Sequence, residues 1–320
     1  MKTNLTIGFL RPLAVIAALS GLSESLIVMA STGIIGEHLP AAKIAGALPR
    51  LLKSASRGGG RAAAEGIMTT DTSPKEAALE LVRGAGKGIR SGGMAKGAGM
   101  IHPGMATMLA FVTTDAALPV PLLRRILKEA GEETFNRISV DGDQSTNDTL
   151  LLLANGASGV AVTPGGRAEK RFREGLREVC RRLAEKIVLD GEGATKLVEV
   201  RVRGARSGGE ALRAARAVAN SSLVKTSWYG QDLNWGRIVA ALGYSGARVD
   251  AGRISLDVNG RPAVRRGTVV SPRVFSRAQR EMARKKLVFD IDLGVGKGRE
   301  SVLTCDLSVE YVKENALYST

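Results

Sequence analysis

"GMIHPGMATMLAFVTTDA", residues 99–116, decides how this chain is read. From Met108 onward it is a short apolar run suited to a buried strand. The half before it fits neither a strand nor an ordinary loop. A strand start favours Val or Ile, and a loop favours Asn, Gly or Ser. Here Thr107 follows Ala106, behind Pro103, Gly104 and Met105. That threonine needs a chemical reason, and the rest of the chain narrows what the reason can be.

At 320 residues and 44% hydrophobic, the chain can bury a large core in one domain or two lobes. Its two cysteines, Cys180 and Cys305, form no C-x-x-C pair. No disulfide framework is expected, and the compartment reads as reducing, hence cytoplasmic. His38 and His102 lie far apart with no acidic cluster to complete a metal site, so no metal is expected. The net charge of +15 raises nucleic acid or a membrane surface as partners. However, the basic segments "RVRGARSGGEALRAARAV" and "SPRVFSRAQREMARKK" read as wet faces of helices and strand ends. Aromatics make up only 4% of the chain and none interleave there for base stacking, so a solvated basic surface is expected rather than nucleic-acid binding. The apolar stretch 13–22 is too short to span a bilayer. Pro12, Gly21 and the lack of an A-x-A site favour a buried helix there over a signal peptide.

Along the chain, "LIVMAS" (26–31) reads as a buried strand and Pro40 as the first-turn proline of a helix. "EGIMTT" reads as a strand entering the Thr69–Thr72 cluster. Residues 76–82 are open between helix and strand. "MLAFVTTDA" reads as a strand, and "VPLLRRILKEAGEETFNRI" has helical spacing. "VDGDQSTNDT" is a polar loop expected to open an apolar helix at "LLLLANG". "AEKRFREGLREVCRRLAEKIVLDG" is the clearest amphipathic helix. Then follow a strand ("KLVEVRVRG"), a helix ("GEALRAARAVANS"), a strand ("LVKTSWYG") and a helix ("LNWGRIVAALG"). Asn259-Gly260 marks a hairpin, and "LVFDIDLGVGKGRESVLTCDLSVEYV" reads as a second one. The class is α/β, in α+β layers, with strands and helices in packets.

"STGIIGE", "IMTTDT", "GGMAKGAG", "DGDQSTNDT" and "DGEGATK" carry more Gly, Thr, Asp and Asn than turns require, although each alone is an ordinary turn sequence. "GVGKGRES" lacks the P-loop spacing, and no G-x-S-x-G occurs. An enzyme built from these residues has no obvious histidine base. A threonine whose own α-amine acts as base remains available, because that amine has a pKa near ~8. Such a threonine must first become an N-terminus, which explains a threonine after a small residue in a glycine-rich loop.

"GMIHPGMATMLAFVTTDA" resembles the self-cleavage segment of the ornithine acetyltransferases, the glutamate N-acetyltransferases of arginine biosynthesis. "STGIIGEHLP", "GIMTTDTSPKEAA", "GGMAKGAGMI", "FNRISVDGDQSTNDTLLLLANG", "DGEGATK", "LVKTSWYGQDLNWGRIVAALG" and "CDLSVEYVKENALYST" resemble the same family in the same order. The resemblance covers nearly everything after about Ser25. It implies an N-terminal-nucleophile-like fold of two lobes, with mixed sheets packed by helices. It implies self-cleavage between Ala106 and Thr107, giving an N-terminal segment 1–106 and a C-terminal segment 107–320. Thr107 then takes acetyl from N2-acetylornithine and passes it to glutamate. Thr32 and Gly33 fall on the oxyanion-hole positions. Thr70, Lys96, Thr107, Glu192, Asn315 and Thr320 fall on the substrate-contacting ones, the last two requiring the C-terminus to fold back. No cofactor is implied beyond acetyl-CoA as an alternative donor. The implied assembly is two copies of each fragment.

Several residues depart from the family pattern. The family usually has a longer N-terminal region with strands ahead of the "STG" segment, so the chain is expected to lack part of it. His102 and Gly104 stand where Ala and Asn are usual. Two other readings are a truncated, inactive relative and a β-aminopeptidase-type hydrolase of the same fold.

Overall fold

The structure, a computed structural model, describes residues 3–82, 88–102, 108–145 and 147–317, with side chains from residue 12 onward except Val82. Ala106, Thr107 and Thr320 therefore lie outside the described residues. Helices α1 (Thr3–Ser20), α2 (Ala41–Ser54) and α3 (Gly60–Gly66) come first. A first sheet follows, from β1 (Lys75–Val82), β2 (Ile89–Lys96), β3 (Leu109–Thr114) and β4 (Thr149–Ala154), with α4 (Val120–Glu133) before its last strand. Helix α5 (Arg167–Leu189) leads to the second half, β5 (Leu197–Ala205), α6 (Gly208–Asn220), α7 (Ser222–Tyr229), α8 (Trp235–Gly243), β6 (Ser255–Val258), β7 (Arg261–Arg265) and β8 (Thr268–Val269). The chain closes with α9 (Pro272–Glu281), β9 (Lys286–Asp292), β10 (Gly298–Cys305) and α10 (Val309–Leu317). The layered α/β class with mixed sheets is thus observed.

The first sheet has the order β1-β2-β3-β4, antiparallel except for the parallel β3–β4 pair. The second has the order β10-β5-β9-β6-β7-β8. Each sheet has its own core. Helix α5 buries Phe172, Leu176, Val179, Leu183 and Ile187, one helical stripe, against β1 and β2. Helix α6 lays Ala211, Ala214, Ala215 and Val218 on β5 and β10. Its small side chains allow that close approach.

Six expectations are corrected. The stretch 26–31 is no buried strand: Leu26 is 68% exposed, and the backbone after it is irregular. An apolar run becomes a strand only where an edge accepts its N–H and C=O groups, and among the described residues no edge pairs with this one. The N-terminal stretch is a helix but not a buried one. It packs on α2, and Leu19 is 47% exposed. "EGIMTT" holds the end of α3 and a turn, and the open stretch 76–82 is strand β1. "TLLLLA" is strand β4 rather than a helix opening, because Asp148 and Asn155-Gly156 leave only six residues between turn signals. "LVKTSWYG" is helix α7. Ser221 caps it by accepting the Val224 N–H, and Val224 and Trp228 bury at helical spacing.

The Asn259-Gly260 hairpin is present, with φ of 49° and 74° at those residues and β6 paired to β7. The second hairpin is not. β5 lies between β9 and β10, parallel to one and antiparallel to the other. The link between them crosses the end of β5, where a Cβ on Gly298 would overlap the Ser207 backbone. The glycines of "GVGKGRES" serve that crossing. Among the described residues no helix is long and apolar enough to cross a membrane.

Two substitutions test the packing. A Cβ at Gly175 on α5 would lie 2.6 Å from Leu81 Cδ2 and 3.0 Å from Leu81 Cβ. Gly175→Val is expected to lose about 1–3 kcal/mol in urea unfolding. Gly46→Ala on α2, with open space around it, is expected to gain up to about 1 kcal/mol through helix propensity.

Candidate active site

The site begins with a lysine on β1. Lys75 is 1% exposed, and its ammonium pairs with Asp71 and Asp190, each at 2.5 Å. Asp71 also accepts the Gly97 N–H at 2.7 Å and the Thr69 N–H at 3.1 Å. Burial pushes the Asp71 carboxyl up, but these N–H groups and Lys75 outweigh it and hold it below the usual range. Asp190, at the end of α5, accepts the Thr72 hydroxyl and the Thr72 N–H, the latter at 3.0 Å. One lysine thus ties the 69–73 turn to the end of β2 and to the 190–193 turn.

Around this knot lies a cleft of about 150 Å³. Thr32 and Gly33 line it from the irregular segment before α2, and Thr70 lines it from the turn after α3. Lys96 comes from the end of β2, Glu192 from the turn after α5, and Asn315 from α10. Every site residue expected from the sequence that lies among the described residues is therefore at one cavity. Ala106, Thr107 and Thr320 lie outside the described residues, but the 97–108 link that carries Ala106 and Thr107 leaves β2 at the cleft, through Gly97 to Met100.

Lys96 is 2% exposed and donates to Thr69 Oγ1 at 3.1 Å. Burial lowers its pKa; Asp71 and Asp148 oppose that shift, and Lys75 adds to it. The carboxylate of Glu192 accepts from Asn315 Nδ2 at 2.9 Å, so α10 does fold back over the cleft. The Glu192 N–H donates to the Ala98 carbonyl at 3.0 Å. A Cβ on Gly99 would overlap the Glu192 carboxylate, so the absence of a side chain there makes its seat. His102 stands half-buried beside this link, and Asn220 Nδ2 donates to its Nδ1 at 3.2 Å. Burial and then the Arg216 charge lower its pKa, so the ring is neutral near pH 7.

The structure adds residues that the sequence did not single out. Asp141 anchors the link after β2 by accepting the Met100 and Ile101 N–H groups, at 2.5 and 3.0 Å. Ser145 and Asn147 line the cleft, and Asp148 accepts the Met108 N–H at 3.0 Å. All come from "VDGDQSTNDT", which was conspicuous only as a polar loop. The signal was its acid and amide density; nothing in it said which residue faced the cleft.

The profile of the ArgJ family matches residues 10–320. The chain belongs to the ArgJ family. The resemblance read from the motifs is borne out, and the match begins ahead of Ser25, inside the stretch that no motif reached. The arginine biosynthesis bifunctional protein ArgJ of Symbiobacterium thermophilum is 48% identical over 303 residues, 94% of this chain and 74% of that protein. ArgJ of Geobacter sulfurreducens is 47% identical, over 96% of this chain and 78% of that one. A crystal structure of ArgJ from Bacillus halodurans aligns with a TM-score of 0.62 and 38% identity, covering 65% of this chain and 98% of that one.

Gly99→Ala separates the cleft from the fold. The clash falls on the far end of a flexible side chain, so Glu192 is expected to swing aside while the melting temperature stays nearly unchanged. Affinity for a cationic substrate should fall, read by calorimetric titration with N2-acetylornithine; unchanged affinity would remove Glu192 as its partner.

Proposed function

We propose that this chain transfers acetyl from N2-acetylornithine to glutamate, with Thr107 as the nucleophile after self-cleavage. One observation carries the reading. Thr32, Gly33, Thr70, Lys96, Glu192 and Asn315, scattered along the sequence, line one cleft where the link bearing Thr107 begins. The name shared by the relatives, arginine biosynthesis bifunctional protein, supports the pathway. The solved ArgJ chain corresponds to about two thirds of this one, the size that a cut before Thr107 leaves.

In this mechanism the Thr107 hydroxyl first attacks the Ala106 carbonyl. The acyl group moves from nitrogen to oxygen, and water releases it as the Ala106 carboxylate. A free amine remains on Thr107. That amine takes the hydroxyl proton as Oγ bonds the acetyl carbon of the donor. The oxyanion is met by the Thr32 hydroxyl and the Gly33 N–H, and losing one such donor raises the barrier by about 3 kcal/mol. The amine returns the proton to the departing ornithine nitrogen. Glutamate nitrogen then attacks the acetyl ester, loses a proton through the same amine, and leaves as N-acetylglutamate.

Glu192 pairs with a substrate ammonium and Lys96 with a substrate carboxylate. Thr70, Asn315 and Thr320 complete the substrate contacts. The chemistry needs no cofactor, and acetyl-CoA serves as an alternative acetyl donor. The enzyme acts in the cytoplasm as two copies of each fragment, segments 1–106 and 107–320.

The two segments share a sheet. β2 and β3 pair over six residues, from Ser91–Thr114 to Lys96–Leu109, and α5 packs on β1 and β2. Cleavage should leave fragments that co-purify and part only in denaturant. A denaturing gel with intact mass and N-terminal sequencing should show a second fragment beginning Thr-Met-Leu-Ala-Phe. Thr107→Ala should give one uncut chain with no transfer, and Thr107→Ser should cut and retain some turnover. A wild-type chain that stays whole would replace this reading with that of an inactive relative.

A further inference from the structure

We propose that Ser308 is a positioning residue for recognition of the acetyl donor. Its hydroxyl fastens α10 to the turn that carries Glu192, and so sets Asn315 against Glu192 at the cleft. This rests on the reading of Glu192 as the partner of a substrate ammonium, and names what holds that carboxylate in place.

Helix α10 has little apolar burial to hold it. It is nine residues long, and a helix of that length does not persist alone in water. None of its residues is fully buried: Tyr311 is half-covered near Asp141, and the others are exposed, Val309, Val312 and Leu317 among them. Yet Asn315, in its last turn, donates to Glu192 at 2.9 Å and lines the cleft. Polar contacts must therefore fix where the helix lies.

The fastening is at the start of the helix. Ser308 is buried and stands just before Val309, the first residue of α10. Its hydroxyl is used twice. The oxygen accepts the Tyr311 N–H at 3.3 Å, which caps the helix, and the O–H donates to the Gly193 carbonyl at 2.6 Å. The turn admits this contact only because Gly193 has no side chain. Gly193 sits at φ 63°, and a Cβ there would overlap the Tyr311 nitrogen and the Ser308 hydroxyl. Gly193 directly follows Glu192, so the fastened carbonyl adjoins the residue that bears the carboxylate.

The corner that presents Ser308 is itself pinned. Asp306 is buried and accepts the Thr195 and Lys196 N–H groups at 2.8 and 2.9 Å. The buried Lys225 ammonium donates to the Cys305 carbonyl and to Thr304 Oγ1. Helix α10 thus leaves a fixed point and spans the turn: Ser308 holds Gly193 at one end, and Asn315 holds Glu192 at the other. With its start released, a helix that buries no side chain loses its direction, and Asn315 leaves Glu192. The two substrates feel this differently. N2-acetylornithine carries its one ammonium at the end of its side chain, because its α-nitrogen is acylated. The side chain of glutamate ends in a carboxylate. A misplaced Glu192 therefore weakens the donor and spares the acceptor.

Ser308→Ala in the full chain tests this. No residue of α10 belongs to either core, so the variant is expected to fold. KM for N2-acetylornithine should rise at least about tenfold with kcat within about twofold, since binding lost equally from ground and transition states appears in KM. KM for glutamate should move by less than about twofold. In an Asn315→Ala background the same substitution should add less than about twofold, because both changes break one contact. An unchanged donor KM, equal losses for both substrates, or a full effect on top of Asn315→Ala overturns the proposal. Hydrogen exchange read by mass spectrometry answers without the reaction. Residues 309–315 should lose protection in Ser308→Ala while α5 and β5 keep theirs, and an α10 that stays protected overturns the proposal. A wild type without transfer is a different result. It removes the reading of Thr107, and exchange together with calorimetric titration of N2-acetylornithine then decides on Ser308.

Discussion

The cleft depends on the ammonium of Lys75. It is buried on β1, yet it pairs with carboxylates from two separate turns, Asp71 and Asp190. Two anions around one cation leave that cluster with a net negative charge in a dry place. Such an arrangement persists only if other donors satisfy the carboxylates, and here backbone N–H groups of Thr69, Thr72, Ser73 and Gly97 do so. Those N–H groups belong to the turns that carry Thr70 and Lys96 into the cleft. The constraint therefore runs from charge burial to backbone placement, and from there to the groups that line the cleft.

The same logic governs the other wall. Asp141 takes the Met100 and Ile101 N–H groups, and Met100 is held at φ 56°, a conformation that an L-residue adopts only under constraint. Asp148 takes the Met108 N–H. The link from β2 to β3 thus leaves one carboxylate clamp and enters another, with the proposed cleavage position between them in sequence. Both carboxylates come from the polar loop ahead of β4. Fixing both ends of a link is what the proposed self-cleavage asks of its surroundings.

Helices α5, α6 and α8 were readable in advance because they carry apolar residues at helical spacing. The runs that misled were short and apolar. Residues 149–154 form a strand because β3 offers a parallel edge, while 26–31 form none because no edge among the described residues meets them, and the two sequences look alike. Burial against a partner decides such runs, and a partner is a tertiary fact. Ser221 caps α7, yet the β-branched and aromatic residues after it read as a strand. Thr32, Gly33, Thr70, Lys96, Glu192 and Asn315 were legible only through ordered motifs, since each alone is an ordinary turn or surface residue. Asp148 was not legible, because a carboxylate becomes notable only when the fold brings it against a backbone N–H.

Charge adds a last constraint. The chain is strongly basic, yet the cleft is lined by one buried lysine and one carboxylate among its charged groups, Lys96 and Glu192. The excess arginine therefore lies elsewhere, much of it paired on the surface, as in Arg181 with Glu178 and Glu185 on α5. Exposed pairs of this kind contribute little to stability, typically about 0–1 kcal/mol each, and are screened by salt. Lys96 differs, because burial works against its charge while Asp71 and Asp148 sustain it. A cation kept charged by two flanking carboxylates, yet bonded only to a threonine hydroxyl among the described contacts, retains hydrogen-bonding capacity for an incoming carboxylate. Glu192, half-covered by Asn315, offers the complementary group. The proposed recognition of a small zwitterion rests on these two charges, and the global charge of the protein has little bearing on it.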